Sequence, residues 1–91
     1  MDIQELRDRI DEIDNDLLKL FQQRMDVSAD IAMYKKQYNM PVHDPVRERQ
    51  ILHNLSQKAG KGRESAVIAL YSLLFELSRA EQEKIMNPEV I

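Results

Sequence analysis

The sequence contains no cysteine and no tryptophan, and only two glycines and three prolines in 91 residues. Without cysteine there is no disulfide, no thiolate nucleophile and no thiolate metal site, and the redox compartment is left open. Few glycines and prolines, with no alternating β-branched runs, exclude a hairpin-rich fold and point to an all-α chain. No apolar run approaches the roughly 20 residues that a bilayer span requires, so no membrane partner is expected. The opening Met1-Asp2-Ile3-Gln4-Glu5 is acidic and lacks the apolar core of a secretory signal, so a cytoplasmic location is expected. Positive charge is not in excess either. A formal net charge of −3 argues against nucleic acid as partner, because phosphate neutralisation needs a basic surface. There is no glycine-rich phosphate loop and no nucleophile elbow, and His43 and His53 share no metal-like spacing with a third ligand. Neither a metal nor a cofactor is expected.

What the sequence does have is a long heptad seam. Ile3, Leu6, Ile10, Ile13, Leu17, Leu20, Val27, Ile31 and Tyr34 recur in alternating steps of three and four, predicting one very long N-terminal helix from Asp2 to Tyr38. At about 1.5 Å per residue it is roughly 54 Å long, beyond what the rest of a 91-residue domain spanning residues 1–91 can cover. The seam therefore predicts a homodimer in which first helices pair. A break at Asp14-Asn15-Asp16, three poor helix formers, is the monomeric alternative, but the heptad phase runs through them unchanged.

One position in the seam is not apolar: the step between Leu20 and Val27 is Arg24. Lys35 lies close to three full turns further on, so the two cations share a face roughly 16 Å apart, with Ile31 and Ser28 between them. They form either a clamp for a small dianion or, in the case of Arg24, a device that sets coiled-coil register. Helix 1 alone does not decide between these.

Asn39-Met40-Pro41-Val42-His43 ends helix 1, and Asp44-Pro45 reads as an N-cap followed by proline at the first helical position. Helix 2 then runs from Pro45 to Ala59 with Val46, Ile51, Leu52 and Leu55 apolar. Glu48 lies on the stripe of Leu52 and Leu55, and a carboxylate there needs partners: a ligand, or a salt bridge to Arg47, Arg49 or a helix 1 cation. Gly60-Lys61-Gly62 closes helix 2, with Gly60 suited to the left-handed position. Helix 3 runs from Arg63 to Met86 with a core stripe of Val67, Leu70, Leu74 and Leu77. A neighbouring stripe, Tyr71, Phe75, Ser78, Gln82, is apolar and then polar but uncharged. On helix 3 alone, Ser78 and Gln82 read as the place where the helix leaves the core as readily as they read as a site. Asn87-Pro88 ends the helix, and the last three residues are expected to fray.

The misplaced polar residues form a set, Arg24, Lys35, Arg47, Glu48, Ser78 and Gln82, drawn from all three helices. Arg7, roughly 42 Å from Lys35 along helix 1, joins it only if the first helices pair antiparallel, so that Arg7 of one chain meets Lys35 of the other. Cations, one carboxylate and neutral hydrogen-bonding groups, with no obvious nucleophile, suit a small polycarboxylate or a reaction that needs only positioning and charge stabilisation.

Leu6-Arg7, Arg24, Lys35, Asp44-x-x-Arg47-Glu48-Arg49 and Ser78-x-x-x-Gln82, spaced over nearly the whole chain, resemble the all-helical, AroQ-type chorismate mutases. Only the loop at residues 60–62 looks shorter than in some members. The resemblance implies an isomerase of the shikimate pathway that rearranges chorismate to prephenate, toward phenylalanine and tyrosine, without cofactor, metal or covalent intermediate. It implies an intertwined homodimer of three-helix chains, with Arg7 contributed to the partner's site. Arg7 and Arg24 would then bind the two carboxylates, with Ser78 assisting. Lys35 and Gln82 would hydrogen-bond the ether oxygen as charge develops on it. Glu48 would accept from the ring hydroxyl, with Asp44 and Arg47 supporting it. The rivals are an isochorismate–pyruvate lyase, which has similar anion-binding residues, and a non-catalytic helical dimerisation or ligand-sensing module.

Overall fold

The computed structural model describes residues 2–88, and the expectation for residues 89–91 lies outside them. The described residues form three α-helices in chain order: α1 Ile3–Gln37, α2 Pro45–Lys58 and α3 Glu64–Met86. The expected ends Asp2, Tyr38, Ala59 and Arg63 prove to be the capping residues. Asp2 opens α1, its carboxylate accepting from the backbone N–H of Glu5 at 2.8 Å, which satisfies one of the unpaired donors of the first turn. The helix continues through Asp14-Asn15-Asp16 without a break.

The end of α1 shapes the site. Asn39 takes the left-handed conformation, φ 59°, and the Met40 N–H reaches back to the Lys35 carbonyl at 2.8 Å. This is the six-to-one closure of a Schellman motif, in which asparagine replaces the usual glycine. It reverses the chain directly over the last turn of α1. Asp44 then caps α2, accepting from the Arg47 N–H at 3.1 Å, with Pro45 at the first helical position.

After α2 the sequence expectation for Gly60 is corrected. Ala59 leaves the helix in an extended conformation, φ −65° and ψ 129°, so the left-handed residues fall later, at Lys61 (φ 58°) and Gly62 (φ 68°). The Arg63 N–H closes on the Gly60 carbonyl at 3.2 Å, as in a turn with two positive-φ central residues.

α3 packs against both α1 and α2. The face it buries is not the expected one. Leu70 and Leu77 are 51% and 39% exposed, whereas Phe75, Ser78 and Gln82 are buried. The neighbouring stripe faces α1, because its polar half finds hydrogen-bond partners there. The α1 seam is left open within the chain: Ile3, Leu6, Ile10, Ile13, Leu17 and Leu20 are each 40–60% exposed. The radius of gyration is 16.4 Å and the long axis 54 Å, against about 12 Å expected for the radius of a compact chain of this length. Among the described residues no helix is long and apolar enough to cross a membrane.

Candidate active site

A cavity of about 300 Å³ opens between the three helices and the loop that joins α1 to α2. Its floor is apolar, made by Val27 and Ile31 of α1, Ile51 of α2 and Phe75 of α3. Arg24, Lys35, Asp44, Arg47, Glu48, Ser78 and Gln82 line it together. The fold therefore gathers the set that the sequence singled out from three separate helices.

Arg24 and Lys35 do share one face of α1, and each is tied to α3. The Arg24 guanidinium donates to Ser78 Oγ at 2.7 Å. Its carbon stands 5.9 Å from the ring centroids of both Tyr71 and Phe75, within reach of a cation–π attraction. Lys35 is buried, and its ammonium donates to the Val42 carbonyl at 2.7 Å and to Gln82 Oε1 at 2.9 Å. The Val42 carbonyl is in place because the Asn39 reversal carries the chain back over Lys35. An ammonium has three donors, so these two bonds leave one for a ligand. Both of its partners are neutral, and a charge taken out of water without a counterion is costly.

Gln82 is positioned by a residue that the sequence reading did not count in the site. Its Nε2 donates to Ser28 Oγ at 3.0 Å, and the Ser28 hydroxyl donates in turn to the Ser78 carbonyl at 3.5 Å. Ser28 lies one turn after Arg24 and is 4% exposed. A hydroxyl among the apolar residues of α1 was the available signal. Ser78 and Gln82 do not mark the helix leaving the core; both are buried in it.

The salt-bridge alternative for Glu48 takes a different partner from those the sequence offered. Its partner is neither Arg47, Arg49 nor a helix 1 cation, but Arg79 of α3. One Arg79 nitrogen donates to Glu48 Oε1 at 2.7 Å and also reaches Oε2. His43 Nε2 stands 3.6 Å from Glu48 Oε1. Arg79 follows Ser78, and one helical step of about 100° turns it from the α1 side toward α2. It lies on neither apolar stripe, which is why the sequence reading passed over it.

Arg7 is not brought to this cavity. It is exposed on α1, roughly 26 Å from Arg24 along the helix. Arg24, Lys35, Arg47 and Arg79 against Asp44 and Glu48 leave the cavity a surplus of two positive charges, within a chain whose formal net charge is −3.

Fold and cavity together define an all-α protein with a cationic, apolar-floored cavity among its three helices. A family model for chorismate mutase type II matches residues 6–83. A chorismate mutase from Methanocaldococcus jannaschii is 34% identical over 85 residues, which cover 91% of this chain and 86% of that protein. The bifunctional chorismate mutase/prephenate dehydratase of Aquifex aeolicus is 29% identical over 89 residues, covering 92% of this chain but 25% of its own longer one. A 3-dehydroquinate dehydratase of Pyrobaculum aerophilum is 30% identical over 77 residues, covering 85% of this chain and 23% of that protein. No solved structure matches the chain. The chain belongs to the chorismate mutase type II family, and its activity class is that of an isomerase.

Proposed function

We propose that the cavity is the active site in which chorismate rearranges to prephenate, and that Arg24, Lys35, Glu48, Ser78 and Gln82 carry the reaction. The observation that carries this reading is the Lys35–Gln82 pair: two hydrogen-bond donors fixed side by side at one wall of a cavity with two surplus positive charges. The reaction breaks the ether C–O bond as a C–C bond forms, and negative charge grows on the ether oxygen. The remaining Lys35 N–H and the second Gln82 amide hydrogen are donors for that oxygen, preorganised by Val42, Ser28 and each other. Arg24, steadied by Ser78 and two aromatic faces, takes one carboxylate of the dianion. Glu48 accepts from the ring hydroxyl, with Asp44 and Arg47 at the same end of α2. Fixing both ends of the molecule selects the compact conformer that the rearrangement needs, an orientation effect.

The second carboxylate belongs to Arg7 of a partner subunit. An antiparallel pairing that sets Arg7 opposite Lys35 has its centre near residue 21. It then lays Leu6 against the region of Lys36 and Leu17 against Met25, along the open seam. The exposure of Ile3 to Leu20 supports this assembly. Placement of the protein in the cytoplasm and in aromatic amino-acid biosynthesis follows from the same reading.

The test is loss of chorismate absorbance on adding purified protein without metal or cofactor, with prephenate and pyruvate both assayed. Prephenate without pyruvate is the expected result; pyruvate from isochorismate instead would assign the lyase. Assembly is tested by mixing two inactive variants, Arg7→Ala and Arg24→Ala. A mixed dimer has one site with both residues intact and should regain activity. Mixed dimers that stay inactive would refute the shared site.

A further inference from the structure

We propose that Arg79 is a positioning residue for the hydroxyl-accepting carboxylate of Glu48, holding it at the rotamer in which it reads the ring hydroxyl of the substrate. The proposal rests on the assignment of Glu48 made above. It starts from three observations. Glu48 sits on the first turn of α2, with its side chain 22% exposed, and among the described residues no other cation is as close to it. Arg79 reaches both of its oxygens with one nitrogen from α3, a different element, so the pair ties the carboxylate to the neighbouring helix. Arg79 also lines the cavity, next to Ser78 and turned from the α1-facing side of α3 toward α2.

A guanidinium hydrogen-bonded to both oxygens of a carboxylate leaves further lone pairs on each, since a carboxylate offers about four acceptor directions. The pair therefore does not block the hydroxyl. It limits the rotation of a carboxylate that lines the cavity and leaves lone pairs for a hydroxyl. Without Arg79, Glu48 would rotate about its side-chain torsions and orient toward solvent or toward Arg47 and the His43 ring. The hydroxyl would lose an oriented acceptor, not a distant charge. Because that hydrogen bond is made in the bound ground state and the transition state alike, its loss appears chiefly in KM.

The test is a double-mutant cycle on the full-length protein with chorismate: Arg79→Met, Glu48→Gln and the double variant, with Arg79→Lys and Arg79→Gln as controls. Helicity and oligomeric size are checked for each. Arg79→Met should raise KM roughly 10-fold with a smaller change in kcat, within the coupling range of residues in contact. The same substitution in the Glu48→Gln background should add little, and Arg79→Lys should recover part of the loss. Where Arg79→Met fails to fold, Arg79→Gln supplies the same arm. Multiplicative effects would overturn the proposal, since Arg79 would then act on the substrate by itself. A lower Tm with unchanged KM and kcat would also overturn it, leaving a clasp between α2 and α3. Unchanged kinetics in Glu48→Gln alone would remove both the Glu48 assignment and the proposal, while failure of the wild type to convert chorismate would separately remove the activity.

Discussion

Replacing Lys35 with alanine separates catalysis from folding more sharply than any other change at this site. Lys35 Nζ is held between the Val42 carbonyl at 2.7 Å and Gln82 Oε1 at 2.9 Å, so its third N–H is aimed by two fixed bonds. Losing one preorganised donor to a developing oxyanion costs on the order of 100- to 1000-fold. The substitution also releases the Gln82 amide from its Lys35 contact, which loosens the second donor. We expect kcat/KM to fall by at least about 1000-fold, or roughly 4 kcal/mol of transition-state stabilisation. Stability should change much less. The variant strands two acceptors, at roughly 1–3 kcal/mol each if they stay dry, but it removes a buried ammonium that has no counterion. A cavity of about 300 Å³ admits water to both acceptors, so the net change should stay near 1–2 kcal/mol. That corresponds to a Tm shift of about 4–8 °C per kcal/mol for a domain of this size. The assay is chorismate loss with prephenate quantified, alongside thermal melting and size analysis. Near-normal turnover in a folded Lys35→Ala protein would refute the mechanism. Loss of helicity in place of activity would make Lys35 a structural residue.

Other substitutions probe the same network. Ser28→Ala removes the acceptor of Gln82 Nε2 and should lower kcat by about 10-fold with little change in melting, in the range measured for one hydrogen bond of about 1 kcal/mol; an unchanged kcat would show that Gln82 holds its place without it. Gln82→Glu puts an acceptor where a donor is needed, because an ionised carboxylate cannot donate. Its activity should be low at neutral pH and rise as the pH falls toward the ordinary glutamate value near about 4.3, whereas the wild type should show no such rise; a flat profile for the variant would refute the donor role. Asn39→Val forces a β-branched residue to φ 59° and should cost roughly 1–2 kcal/mol of stability, read from denaturant midpoints. Because the reversal at Asn39 places the Val42 carbonyl, kcat/KM should fall with it, and unaffected activity would detach the loop from the site.

The parts of this molecule that were legible in the sequence are those set by one helix at a time. The α1 heptad phase predicted a helix unbroken at Asp14-Asn15-Asp16, because three weak propensities do not outweigh a seam with constant register. Arg24 and Lys35 stood out as charges on an apolar face, and Ser78 and Gln82 as the polar end of an apolar stripe. What was not legible depends on how helices meet. Periodicity gave two stripes on α3 but not which one faces α1; the choice turns on Ser78 and Gln82 finding Arg24, Lys35 and Ser28. Arg79 lies off both stripes, and its role appears only once α2 is docked beside α3. The Gly60 expectation failed because Ala59 leaves α2 extended, which a glycine-containing loop does not reveal.

The distribution of apolar surface on α1 ties the site to assembly. Its C-terminal third packs on α3 and supplies Ser28, Ala32 and Lys35, all buried. Its N-terminal half exposes Ile3, Leu6, Ile10, Ile13, Leu17 and Leu20 and carries Arg7 on the same surface. Burying six such side chains is worth roughly 1.5–3 kcal/mol each relative to full exposure, less here because each is already partly covered. That stabilisation becomes available only when a second copy supplies the opposing seam. In the antiparallel assembly proposed above, the same step would bring Arg7 to the partner's cavity. A substitution in the seam, such as Ile13→Asp, should therefore remove activity with no change to any residue that lines the cavity. Its effect should grow as the protein is diluted, because the proposed site is completed only in the assembled form. A concentration-independent kcat/KM in that variant would separate the site from the seam and return Arg7 to the role of a surface charge.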